Sequence, residues 1–210
     1  MTWRGTAVLA LLLVVGAAGG FGASLLAGEN PRAEGRAAPV AAASPSLPVD
    51  PVPDLLPDPP TPPLAPGLPL ERRVVGSGDF RMTLLAPVGW DFSENSLNEW
   101  QWRPPDQPDF GYVMRVEQVL SSRRSIDWTL DRRIDELRED ESNVEVLGQT
   151  ADSLHFSYVT SNHLRHGYLR WVDLTGSDNA QVEIAVTGRE VDDAGMADLV
   201  ARVGSGIRLG

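Results

Sequence analysis

The sequence predicts an α+β domain, an antiparallel sheet of about six to seven strands flanked by two helices, preceded by a transmembrane helix and a proline-rich disordered linker. Three observations carry this. Residues 7–27 hold no charged side chain. Thirteen of the 17 prolines fall between residues 28 and 70. Beyond Leu70, runs of period-two alternation are interrupted by two stripes of helical spacing.

The apolar run, Ala7 to Ala27, is 21 residues long. As a helix at about 1.5 Å per residue it spans roughly 30 Å, the thickness of a bilayer core. Arg4 precedes it, and Glu29, Arg32 and Glu34 follow. This bias places residues 1–6 in the cytoplasm and everything after Ala27 outside. The alternative is a cleaved secretory signal, whose apolar core is shorter and which ends in an Ala-x-Ala-like site. No clean site of that kind occurs, so the reading taken is a retained signal anchor. Gly16, Gly20 and Ser24 recur every four residues, a stripe that could support a helix–helix dimer but that is common in membrane segments.

Residues 28–70 read as a spacer. Proline fixes φ and removes backbone donors, so neither helix nor sheet is favoured and extended polyproline II is expected. The run from Pro57 to Pro66 could also serve as a ligand for an aromatic groove. A spacer that lifts a domain away from the membrane is the simpler reading.

Residues 71–210 have the length of one domain. Phe80, Met82 and Leu84 alternate with polar residues as a strand, broken at Ala86-Pro87-Val88-Gly89-Trp90 before a short extended piece at Asp91-Phe92. Trp100 and Trp102 share one face of the next strand, and Tyr112, Met114 and Val116 share a face of another. Ser125 is an expected N-cap for a helix to about Glu141, with Ile126, Leu130, Ile134 and Leu137 on one stripe. Four strands follow, roughly 144–147, 153–160, 167–174 and 180–187, joined by short polar links that imply an antiparallel meander. The strand with Tyr168, Leu169, Trp171 and Val172 is apolar on both faces and should lie centrally. Asp192 or Asp193 opens a last helix, with Met196, Leu199, Val200 and Val203 inward.

Composition narrows the function. The net charge is -11, all basic residues are arginine, and cysteine is absent. An acidic chain lacks the clustered positive charge that nucleic acid demands, so no nucleic-acid partner is expected. Without cysteine there is no disulfide, thiolate metal site, cysteine nucleophile or lipid-modified N-terminal cysteine. The missing lysine, with abundant Ala, Arg, Gly and Pro, has the look of a GC-rich coding bias and hints at an actinobacterial source.

The order of elements and several local strings resemble a known family. An opening strand, Ala86-Pro87-Val88-Gly89-Trp90, an aromatic strand before Arg103-Pro104, a helix carrying Asp127-Trp128, a four-strand meander and a closing helix are similar to extracytoplasmic actinobacterial domains of the Mog/PsbP-like fold, an α/β/α sandwich. The resemblance covers about residues 78–210. It implies a binding or assembly module, since the shared pattern is one of packing and brings no catalytic residue with it. The lipoprotein branch carries a lipobox cysteine that this chain lacks, which leaves anchoring to the helix.

Candidate residues are few. Trp128 lies about 200° from Ile126 and 160° from Leu130 around the helix, away from the core stripe, so it either packs under a loop or anchors a partner. Trp100 and Trp102 could form a sugar-stacking platform, although two tryptophans on one strand face more often belong to a core. His163 and His166 flank Leu164-Arg165 with no carboxylate adjacent in sequence, and read as a solvated hairpin tip; no metal and no cofactor is expected. The acidic end of the helix, Asp131 to Glu141, lacks the spacing of a calcium loop. No catalytic motif occurs. The expected function is therefore non-catalytic: a membrane-anchored, extracytoplasmic binding domain with a protein or cell-envelope partner. Trp128 and the groove between helix and sheet mark its site. The alternatives are a cleaved, secreted form of the same domain and a cell-wall hydrolase using carboxylates whose pairing the sequence does not reveal.

Overall fold

The computed structural model describes residues 54–78, 81–120 and 124–210. The expected cytoplasmic terminus, transmembrane helix, Gly16/Gly20/Ser24 stripe, spacer up to residue 53 and Phe80 lie outside the described residues. Among the described residues no helix is long and apolar enough to cross a membrane.

The fold is α+β and antiparallel. A seven-stranded sheet has the order β3-β4-β5-β9-β8-β7-β6, and a three-stranded sheet the order β1-β2-β10. Their strands are β1 (Leu70–Val75), β2 (Met82–Pro87), β3 (Asp91–Ser96), β4 (Glu99–Arg103), β5 (Val113–Gln118), β6 (Ser142–Gln149), β7 (Ser153–Thr160), β8 (His163–Val172), β9 (Val182–Gly188) and β10 (Arg208–Leu209). Helix α1 (Ile126–Asp140) separates β5 from β6, and α2 (Asp193–Gly206) follows β9 after a short 3-10 turn, Glu190–Asp192.

The meander forms as its short links demand. β6 to β9 are sequential antiparallel neighbours. The β7–β8 turn is tighter than the sequence suggests. Ser161 and Asn162 both take positive φ, 49° and 63°. Two such residues make the turn whose twist matches a hairpin, so β8 already begins at His163. Two differences from expectation concern the edges. β1 was not expected, because Leu-Glu-Arg-Arg-Val-Val does not alternate; it pairs with β2 as an exposed edge. The second is that β2 runs through Pro87 instead of breaking at Ala86.

The two faces of the large sheet carry different cores. Trp100, Trp102, Met114, Val116, Ile184 and Val186 pack beneath α2 and the small sheet. Leu154, Phe156, Leu169, Trp171 and Ala185 pack beneath Leu130 and Ile134 of α1. Seven strands at about 4.8 Å spacing are roughly 30 Å wide, whereas one helix covers about 10 Å. Each face is thus only partly roofed, and a groove is left beside each helix.

The boundary between spacer and domain differs most from the sequence reading. Residues from Asp54 onward do not run free to Leu70; Pro51–Gly210 is one compact unit. The strap is held through its carbonyls. Nη1 of Arg189 donates to Pro59 O at 2.8 Å and Thr61 O at 3.0 Å, and Nη2 to Pro62 O at 3.1 Å. Arg189 is itself clamped by Asp192, with Nε and Nη2 each 2.8 Å from its carboxylate. Asp192 also accepts from Leu64 N at 2.8 Å, and Leu64 is buried in the α2 core. Asp58 pairs with Arg165 at 2.6 Å, and Arg202 donates to Leu68 O at 2.8 Å. Prolines strip a segment of donors and leave its carbonyls unpaired. A guanidinium, with five N–H donors and no acceptor, is suited to collect them.

Candidate functional site

The groove beside α1 is built by one helix and five strands. Ser125 caps α1 by accepting from Trp128 N at 3.2 Å, and Leu130 and Ile134 pin the helix to the sheet. The helix therefore holds its Leu137–Glu141 edge above β4, β5 and β9, which it does not cover. A groove of about 340 Å³ results, lined by Phe156, Tyr158, Leu137, Arg115, Arg133 and Glu141 among others. A second depression of about 220 Å³ adjoins it, sharing Arg133 and Glu136 and lined on its far side by Trp128, Glu117 and Val119.

A buried carboxylate organises the charge between the two depressions. Glu183 on β9 accepts from Arg133 at 2.7 Å, Arg115 at 3.0 Å and the Trp171 indole Nε1 at 3.1 Å. Burial works against the Arg133 charge, but Glu183, Glu136 and Glu117 outweigh it and raise its pKa. Arg133 is thus permanently cationic, and its Nε is buried with no hydrogen-bond partner. Burial raises the Glu117 carboxyl, only partly offset by Arg115. Burial, then the charge of Asp140, raises Glu141. Tyr158 is pushed up by burial and by Glu141, so its hydroxyl stays protonated over the groove floor. The result is an aromatic and aliphatic floor, a fixed guanidinium, and an acidic helix edge. Such a surface can hold an amphiphilic ligand with groups of both polarities.

The sequence-derived candidates separate. Trp128 is 46% exposed, with the Arg124 guanidinium 4.8 Å over its ring, and stands on the depression beside the groove. Trp100 and Trp102 are 1% and 2% exposed. They are core residues beneath α2, on the face away from the α1 groove, and cannot stack a sugar. The structure also corrects the hairpin-tip reading of the histidines. His163 and His166 are buried in β8. They point to opposite faces, since they are three apart on a strand. His163 stacks on Phe110, centroids 4.3 Å apart, and His166 meets a carboxylate distant in sequence, Asp193. His155, on β7, stacks on Tyr168 at 4.0 Å; burial lowers its pKa despite the opposing pull of Asp193. Arg115 and Arg133 read from sequence only as polar-face residues, and Glu183 was not singled out. The only available signal was the charge Glu183 inside an otherwise apolar strand.

No family model matches the chain, and no curated protein matches it. Among solved structures it is similar to LpqN of Mycobacterium tuberculosis, described as involved in cell envelope biogenesis. The two share 13% identity at a TM-score of 0.44, over 67% of this chain and 91% of that one. A likeness of that depth says nothing about what this groove holds.

Proposed function

We propose that the chain is a single-pass membrane protein whose C-terminal domain is a non-catalytic binding or assembly module outside the cytoplasm, with the α1 groove as its site. We read the fold as Mog/PsbP-like, because one antiparallel sheet lies between a helix-roofed face and a second face closed by the last helix. Residues 7–27 anchor it, and residues 28–53 hold it off the bilayer; as polyproline II they reach about 80 Å. The observation that carries this reading is the pairing of an exposed Trp128 with an adjoining groove lined by the guanidinium of Arg133. Exposed tryptophan and arginine at the rim of a pocket are the side chains that most often carry binding energy. The partner is a protein or a cell-envelope component.

Photo-crosslinking in cells tests it. A photoreactive residue at position 128 or 132 should trap one discrete partner, whereas one at Val191, exposed beside α2, should not. Capture from position 191 alone would refute the site. Glycan hydrolysis by the purified chain, abolished by Glu141→Gln, would replace the binding reading with the hydrolase one.

A further inference from the structure

On the opposite face, β7, β8 and the first turn of α2 bring together three side chains that nothing in the sequence places near one another. One ring nitrogen of His155, one of His166 and a carboxylate oxygen of Asp193 all lie within 4.8 Å of one another. His166 Nδ1 is 2.9 and 3.0 Å from the two Asp193 oxygens. His155 Nε2 is 3.7 Å from Asp193 Oδ1, too far for a hydrogen bond, and is buried without any partner.

We propose that His155, His166 and Asp193 form a binding site for a divalent transition-metal cation, of which zinc is the probe. Two imidazole nitrogens and one carboxylate oxygen are a donor set suited to such cations and not to calcium or magnesium. With metal–donor bonds of about 2.0–2.2 Å, two ligands at 90–110° stand about 2.9–3.5 Å apart. The His166–Asp193 pair already meets that spacing, and His155, 3.7 Å from Asp193 Oδ1, must shift inward to meet it. That shift gives the orphan Nε2 the partner it lacks. The backbone supports the arrangement. His155 lies opposite Tyr168, two residues from His166 on the same face of β8, and Asp193 is fixed by Asp192, whose carboxylate is locked to Arg189. The Tyr168 ring stacked on His155 holds the imidazole plane. Three protein ligands leave a coordination position open. The Asp193 and His155 side chains are 31% and 23% exposed, so the site lies close to the surface. His155 and Tyr168 also line a groove of about 580 Å³ between α2 and the β6–β8 edge, which adjoins the site.

The chain has three histidines, which makes the test clean. Zinc chloride is titrated into the untagged full-length chain in detergent, followed by calorimetry and thermal unfolding. One equivalent should bind with micromolar or tighter affinity and raise Tm. His155→Asn, His166→Asn and Asp193→Asn should each weaken binding at least tenfold, and His163→Asn, on the other face, should leave it unchanged. Independently of any variant, cobalt(II) should give ligand-field absorption that zinc abolishes, and zinc should shift the imidazole NMR signals of His155 and His166 but not His163. Absence of saturable binding, unperturbed His155 and His166 signals in the wild-type chain, or loss of binding only in His163→Asn would overturn the proposal.

Discussion

Replacing Arg189 by Met keeps most of the side-chain volume and removes the guanidinium that ties the proline-rich strap to the domain. Its loss strands Asp192, which is fully buried, with only the N–H groups of Leu64 and Arg189 as donors. It also frees the carbonyls of Pro59, Thr61 and Pro62. Removing one member of a buried ion pair costs about 3–5 kcal/mol. For a domain of this size each kcal/mol shifts Tm by about 2–4 °C, so Arg189→Met should lower Tm by roughly 6–20 °C. Circular dichroism of the full chain reads this directly. Limited proteolysis should show new cleavage between residues 54 and 68. Acid titration supplies an internal check. Burial alone would raise the Asp192 carboxyl, but the Arg189 side chain and two backbone N–H groups outweigh it and hold it below the usual range. A depressed folded value contributes stability above the unfolded value of about 3.9, lost as pH falls through the folded one. The wild type should therefore lose stability on acidification below about pH 4, and the variant should lose less over that window. The double variant Arg189→Met, Asp192→Leu should recover part of the loss, because no charge is then stranded. A Tm drop under about 2 °C with unchanged proteolysis would refute the clamp.

Three further outcomes follow from the same structure. Glu183→Ala leaves Arg133 and Arg115 without their shared carboxylate and Trp171 Nε1 without an acceptor; urea unfolding should register a loss of about 3–5 kcal/mol, and Glu183→Gln a smaller one. Gly167→Ala places a methyl 2.5 Å from the Phe156 ring; it should cost about 1–3 kcal/mol and, by moving that ring, alter the α1 groove, visible as Phe156 NMR shifts. Ser125→Ala removes the cap that accepts from Trp128 N and should cost about 1 kcal/mol by thermal unfolding, with Ser125→Asp restoring it.

Much of the fold was legible because it rests on periodicity. The stripe Ile126, Leu130, Ile134, Leu137 behind Ser125 specifies α1, and Met196, Leu199, Val200 and Val203 specify α2; both stripes are inward. The meander was legible because short links leave adjacent strands no other partner. Trp128 was placed off the core stripe by its angle alone, and it is exposed.

What the chain order could not supply are the meetings between distant residues. Asp193 reaches His166 across 27 positions, Glu183 reaches Arg133 across 50, and Arg189 reaches the strap across about 130. Local pattern reports which face a side chain takes; it carries no record of which strand will lie beside it. The strap shows the limit most sharply, since proline content specifies an extended backbone with unpaired carbonyls but is silent on whether water or Arg189 will satisfy them. That choice depends on the turn after β9 being brought about 130 residues back onto the strap, and so it belongs to the tertiary structure.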